Sequence, residues 1–183
     1  MEEITVDKMI EILWHGRGGQ GAFTAAKLLG AAYSAKDGNY SIAFPSFGPE
    51  RRGAPVRAFT KLDSRRIGDR SEIEKADYVI YLDDTLFSDS FDELKENGKI
   101  IINTKKHFDD KRIIAADADA MANEIIGRPI TNTVMLGVLA GVSKITDYEN
   151  IAEAIRGSMP EKLHEKNIKA AVAAFESVSG VSK

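Results

Sequence analysis

Cysteine is absent from the 183 residues. No disulfide framework can form, no Cys-ligated iron–sulfur cluster or zinc ribbon can be built, and there is no thiol nucleophile. If the chain serves a redox system, the metal centres sit on another polypeptide. Histidine is scarce too: His15, His107 and His164 lie far apart, without metal-ligand spacing. An excess of positive charge is also missing. Lys plus Arg is 25 against 28 Asp plus Glu, a formal charge of −3, which argues against a nucleic-acid binder. Long apolar runs are lacking. The stretch from Val134 to Val142 is about half of what a membrane span needs, so no membrane role is expected. Met1 to Lys8 is acidic and has no apolar signal core, and the expected location is the cytoplasm.

What remains is an ordinary globular composition, 43% hydrophobic and 29% charged. The length suits a single domain over residues 1–183, able to bury roughly 70% of its unfolded surface. Met9 to Trp14 reads as a strand, HGRGGQG follows, and Ala22 to Ser34 has apolar residues at helical spacing. Tyr40 to Phe44 and Val56 to Leu62 read as strands joined by a long Gly/Pro/Arg loop, a hairpin that supplies one antiparallel element. Asp77 to Leu82 is a buried-type strand. A helix over Thr85 to Glu96, capped by Asp83 or Asp84 and stopped at Asn97-Gly98, should follow. Lys99 to Ile102 and Arg112 to Ala115 are further strands, and Ala118 to Ile126 a helix closed by Gly127-Arg128-Pro129. From about residue 132 the chain reads as helical: Thr133 to Val142 (buried, with Asn132 as a cap), Tyr148 to Arg156 and Glu161 to Ser177. This alternation predicts an α/β three-layer α/β/α sandwich, Rossmann-like, with a mostly parallel sheet. Gly137 and Gly141, one turn apart, predict close helix packing.

Two loops carry the functional signal. Gly16, Arg17, Gly18, Gly19, Gln20 and Gly21 fit G-x-G-x-x-G between a strand and a helix. Backbone N–H groups and the helix dipole there suit a phosphate or carboxylate, and Arg17 adds a cation. A tight turn packing helix on strand explains the same residues. A dinucleotide site needs a carboxylate closing the second strand, but Phe44-Pro45-Ser46-Phe47 stands there, with Arg51 and Arg52 beyond. The second loop, FPSFGPERRG, frames Phe47, Glu50, Arg51 and Arg52 with proline and glycine, a composition suited to docking a partner chain or an anion. Asp83 and Asp84 at a strand's carboxyl end fit a helix cap better than a metal or base. Thr104, Lys105, Lys106 and His107 are expected to be solvated, and His15 to be structural. No nucleophile–His–acid arrangement assembles, so no catalytic residue is assigned.

HGRGGQG, FPSFGPERRGAPVRAFTK, NTVMLG and EKNIKAAVAAFE, in this order from about Met9 to Glu176, resemble the gamma subunit of 2-oxoacid:ferredoxin oxidoreductases. The Pro-Glu-Arg-Arg-Gly-Ala-Pro version of the loop is most similar to that of the pyruvate enzyme. The resemblance implies a hetero-oligomer with alpha, beta and delta subunits. It oxidatively decarboxylates a 2-oxoacid, transfers the acyl group to coenzyme A and reduces ferredoxin. It also implies thiamine diphosphate on alpha and beta, iron–sulfur clusters on beta and delta, and no cofactor held by this chain alone. Gly16 to Gly21 then become candidates for a coenzyme A phosphate, and Phe47, Glu50, Arg51 and Arg52 for the subunit interface. Enzymes for branched-chain 2-oxoacids, 2-oxoglutarate or indolepyruvate are alternatives, as is a free-standing nucleotide- or phosphate-binding protein.

Overall fold

A computed structural model describes residues 8–46, 48 and 51–180. Six strands form one sheet in the order β2-β3-β1-β4-β5-β6. They are β1 (Ile10–Arg17), β2 (Tyr40–Pro45), β3 (Pro55–Asp63), β4 (Ala76–Tyr81), β5 (Leu94–Asn103) and β6 (Ile113–Ala116). Five α-helices accompany them: α1 (Ala22–Ser34), α2 (Ala118–Ile125), α3 (Asn132–Ser143), α4 (Tyr148–Ser158) and α5 (His164–Ser179). β3 runs antiparallel to both its neighbours, β2 and β1, while β1, β4, β5 and β6 are parallel. The α/β class and the mostly parallel sheet with one antiparallel strand are as the sequence predicts.

Strand alternation divides the apolar residues between two faces. Ile12, Trp14, Leu62, Ile80 and Ile101 turn to one side and meet residues from all five helices. Leu13, Phe59, Val79, Tyr81, Ile100 and Ile102 turn to the other, where Ile73, Phe87, Phe91 and Phe108 cover them. Those covering residues come from connecting segments. The expected α/β/α sandwich is therefore corrected: the α-helices of the described residues gather on one face, and coil covers the second.

The cause lies in residues 85–96, where a helix was expected. Only a 3₁₀ turn forms, at Asp84–Leu86, and β5 begins at Leu94. Phe87 and Phe91 have helical spacing, but Ser88, Asp89 and Ser90 between them are poor helix formers, whose side chains compete for backbone donors. Asp89 takes a positive φ of 56°, and the Ser90 hydroxyl accepts from Asp92 N–H (3.2 Å). Asn97-Gly98, read as a helix stop, lies within β5. A Cβ on Gly98 would stand 2.7 Å from Leu94 Cδ1 and 3.0 Å from the Asp77 carbonyl.

On the helical face, α1 is tied to the sheet through polar atoms as well as packing. Trp14 Nε1 donates to Thr60 Oγ1 (3.1 Å), which donates to the Ala26 carbonyl (3.0 Å). Helix α3 is buried on nearly every side and presses on α5 through its glycines. A Cβ on Gly137 would stand 2.2 Å from the Ala171 carbonyl oxygen, and one on Gly141 2.6 Å from that of Phe175. Over the second face, Lys61 is 1% exposed and donates to Asp69 (2.7 Å), pinning the segment after β3. Among the described residues no helix is long and apolar enough to cross a membrane.

The helix–helix contact gives a direct test. Gly137→Ala must separate α3 from α5 and is expected to cost about 2–4 kcal/mol. Gly157→Ala, in α4 with open space around it, is expected to be neutral or to stabilise by up to about 1 kcal/mol. Urea unfolding of both variants checks the contrast.

Candidate functional site at the carboxyl edge of the sheet

The glycine loop leaves β1 at the carboxyl edge, where α/β folds place their sites. Each patterned glycine has a neighbour that explains it. A Cβ on Gly16 would press on Ala22 and Leu82, both at 3.3 Å, and one on Gly21 would stand 2.6 Å from Asn132 Nδ2. At Gly18 a Cβ would lie 2.2 Å from the Arg51 carbonyl oxygen. The segment after the long loop crosses directly over this glycine. Gly18 N–H donates to the Ala54 carbonyl (2.8 Å), and Gly53 N–H donates to the Gly18 carbonyl (3.0 Å). In a dinucleotide-binding fold the pyrophosphate approaches the second glycine of this pattern. Here the chain's own backbone takes that place.

Arg17 is equally committed. Its Nε donates to Asp83 (3.2 Å), one terminal nitrogen to the Gly53 carbonyl (3.1 Å) and the other to Thr85 Oγ1 (2.8 Å). The expectation gave this guanidinium to a bound anion; the structure gives it three protein partners. Gln20 completes the knot, accepting from Arg17 N–H (2.7 Å) and donating to Asp83 (3.2 Å). Asp83 also accepts from Thr85 N–H (3.0 Å), so its expected capping role is kept on a single 3₁₀ turn. Burial alone would raise the Asp83 pKa, but the bonds from Thr85 and Gln20 and the Arg17 charge outweigh it and hold the carboxyl below its ordinary value.

The other candidates divide. Arg51 and Arg52 are exposed, and among the described residues neither enters an ion pair. Arg52 forms a parallel bridge with Gly18, so the backbone here is tied to the glycine loop while both side chains are exposed. Phe47 and Glu50 lie outside the described residues. Asp84 accepts from Thr104 (2.8 Å) and stands 3.4 Å from Lys106. Thr104 is therefore buried and bonded rather than solvated. Lys105, Lys106 and His107 are exposed as expected. Asn132 Oδ1 accepts from Thr133 N–H (3.0 Å), and its Nδ2 donates weakly to the Gly21 carbonyl (3.5 Å), joining the α3 start to the glycine loop.

His15 has more partners than the sequence suggests. Its Nε2 lies 2.7 Å from Glu93, and its ring stacks on Tyr81 with centroids 4.6 Å apart. Arg57 reaches Glu93 at 3.6 Å and Glu72 at 2.8 Å. Burial, with the Glu93 charge, pushes Tyr81 up to about 12. Glu93 is about eighty residues from His15 along the chain, and no local pattern links them. Among the described residues no group of three or more His, Cys, Asp or Glu is placed to hold a metal ion. Among the described residues the geometry offers an edge carrying two exposed arginines, and no catalytic constellation assembles there.

Residues 11–177 match the pyruvate ferredoxin/flavodoxin oxidoreductase family. The chain is 45% identical to the pyruvate synthase subunit PorC of Methanothermobacter thermautotrophicus over 174 residues, covering 93% of this chain and 96% of that one. It is 43% identical over 179 residues to the common gamma subunit of the pyruvate/ketoisovalerate oxidoreductases of Pyrococcus furiosus, covering 92% and 96%. The crystal structure of the pyruvate oxidoreductase subunit PORC of Thermotoga maritima superposes with a TM-score of 0.78 at 37% identity, covering 92% and 96%.

The Asp83 knot predicts a pH effect. A carboxyl whose folded pKa lies below its unfolded value, about 3.9, stabilises the fold above that pH and loses the contribution as pH falls through the folded value. Asp83→Asn is expected to be less stable than the parent at pH 7, with the difference shrinking below about pH 4. Unfolding midpoints of both proteins between pH 7 and pH 2 give the comparison.

Proposed function

The chain belongs to the pyruvate ferredoxin/flavodoxin oxidoreductase family as a gamma-type subunit, and from that premise we propose how it serves the complex. The assembled enzyme oxidatively decarboxylates pyruvate, joins the acetyl group to coenzyme A with release of CO2, and passes the electrons to ferredoxin. Similarity over nearly the whole chain to pyruvate synthase subunits is the observation that carries this reading. Having no cysteine, the chain leaves iron–sulfur ligation to beta and delta partners, and thiamine diphosphate to alpha and beta. The Pyrococcus furiosus relative is common to pyruvate and ketoisovalerate enzymes, which supports substrate choice being made on other chains. It also gives weight to a second reading, in which a branched-chain 2-oxoacid is the substrate.

The chain's own share is assembly through the carboxyl edge. The glycine loop and the Arg51–Ala54 segment lock each other, and this holds Arg51 and Arg52 outward on a fixed backbone. Pre-ordered arginines dock well, because little conformational freedom is lost on binding. A coenzyme A phosphate reaching this subunit is met first by these two side chains, because Arg17 is held by three protein partners.

The complex can be rebuilt from its separate chains and assayed with pyruvate, coenzyme A and a viologen acceptor. This chain alone is expected to give no turnover. Arg51→Glu with Arg52→Glu is expected to weaken assembly at least about tenfold while leaving the chain folded. Arg51→Ala with Arg52→Ala is expected to raise KM for coenzyme A more than KM for pyruvate. Turnover by the isolated chain, or unchanged assembly of the charge-reversed variant, overturns the proposal.

A further inference from the structure

A cavity of about 300 Å³ lies at the amino edge of the sheet, away from the glycine loop. β3 runs antiparallel to both β1 and β2, so β2 is parallel to β1 and starts at that edge. The cavity opens between the end of α1, the approach to β2, the turn from α3 to α4, and α5. Its volume is at the small end for ligand cavities, which run from roughly 300 Å³ upward. Lys36, Lys144, Thr146 and Asp147 contribute to its wall, with Ile145 and Phe175 as apolar neighbours.

Thr146 is 8% exposed, and its Oγ1 is buried without a hydrogen-bond partner among the described residues. Buried hydroxyls in native proteins are nearly always bonded, to protein, water or ligand. Here the protein supplies no partner, and the residue stands in a cavity wall. The charge of that wall is an independent observation. Lys36 is exposed and forms no ion pair among the described residues. Lys144 lies over the Phe175 ring (4.8 Å) and donates to the Ser179 carbonyl at 3.3 Å. Two ammonium groups thus face one carboxylate, and that carboxylate is committed: Asp147 Oδ1 accepts from Asn150 N–H (2.8 Å) to cap α4. Lys144 also holds a positive φ of 57°, a conformation that favours glycine at a helix end. Glycine would close α3 more easily but would bring no charge to the cavity.

We propose that this cavity binds a phosphate group, free or as a small monoester. Lysine ammonium groups are point charges that suit a phosphate oxyanion, and Lys36 and Lys144 approach it from the ends of two different helices. Thr146 Oγ1 donates to a phosphate oxygen and gains the partner it lacks. Ile145 and Phe175 leave an apolar wall for the carbon part of an ester. No residue of 16–21, 51–54 or 83–85 lines the cavity, so this site stands or falls independently of assembly through the carboxyl edge.

The probes are inorganic phosphate and methyl phosphate, added to the full chain at constant ionic strength while the amide shifts of residues 144–150 are followed by NMR. Saturable shifts are expected with both. A higher affinity for methyl phosphate identifies an ester as the ligand; an equal or lower one identifies the free ion. Lys36→Ala with Lys144→Gly is expected to weaken binding at least about tenfold, whereas Lys162→Ala, which removes an exposed charge outside the cavity, leaves it unchanged. Thr146→Val is expected to bind several-fold more weakly, yet to unfold in urea no earlier than the parent in phosphate-free buffer, because valine keeps the shape and removes an unpaired polar atom. Absence of saturable shifts, unchanged affinity in the double lysine variant, or parental affinity in Thr146→Val each overturns the proposal.

Discussion

The contact on which the carboxyl edge depends is the one that Gly18 makes by having no side chain. The Arg51 carbonyl occupies the space a Cβ would fill, 2.2 Å from its ideal position. Two backbone hydrogen bonds, Gly18 to Ala54 and Gly53 to Gly18, then bind the glycine loop to the far end of the β2–β3 connection. Any L side chain at position 18 must break that approach. Arg17 closes the knot from outside by spanning Asp83, Thr85 and the Gly53 carbonyl. Three segments distant in sequence, 16–21, 51–54 and 83–85, are thereby made one rigid edge. At Gly18 the pattern brings the polypeptide's own backbone onto the loop.

The helical face gives the edge its rigidity. Glycines in α3 let the backbone of α5 approach closely, and Thr133 Oγ1 bonds Asn167 Oδ1 across the same contact (2.9 Å). Asn132, at the start of α3, then meets Gly21 of the glycine loop. The buried helix pair and the functional edge are thus mechanically continuous. The opposite face has no such backing. It is covered by connecting segments that aromatic side chains and the Lys61–Asp69 ion pair anchor.

Elements with one strong local signal were legible in the sequence. Helix α1, bracketed by a glycine loop and a polar turn, spans Ala22–Ser34 as read, and the strand read at 56–62 and the buried-type strand read at 77–82 are present as β3 and β4. Gly137 and Gly141 announced the close helix contact. Segment 85–96 misled because Phe87 and Phe91 mimic helical spacing, although both serve to cap the sheet from extended chain. The single-sided helical layer follows from that one missing helix. At the edge, the residues were visible and their partners were not. Arg17 looks like an anion ligand in sequence because Asp83 is sixty-six residues away. The His15–Glu93 pair and the β1–β4 neighbour relation arise only from sheet order, which no local period encodes.

The central claim is that the locked edge, not the helical face, is where the subunit meets its complex. Amide hydrogen exchange on the isolated chain and on the assembled enzyme tests it most directly. The account predicts that assembly slows exchange most in residues 16–21 and 51–54, with little change along the exposed side of α4 and α5. Protection gained mainly on α4 and α5, with 16–21 and 51–54 exchanging as in the free chain, would contradict it.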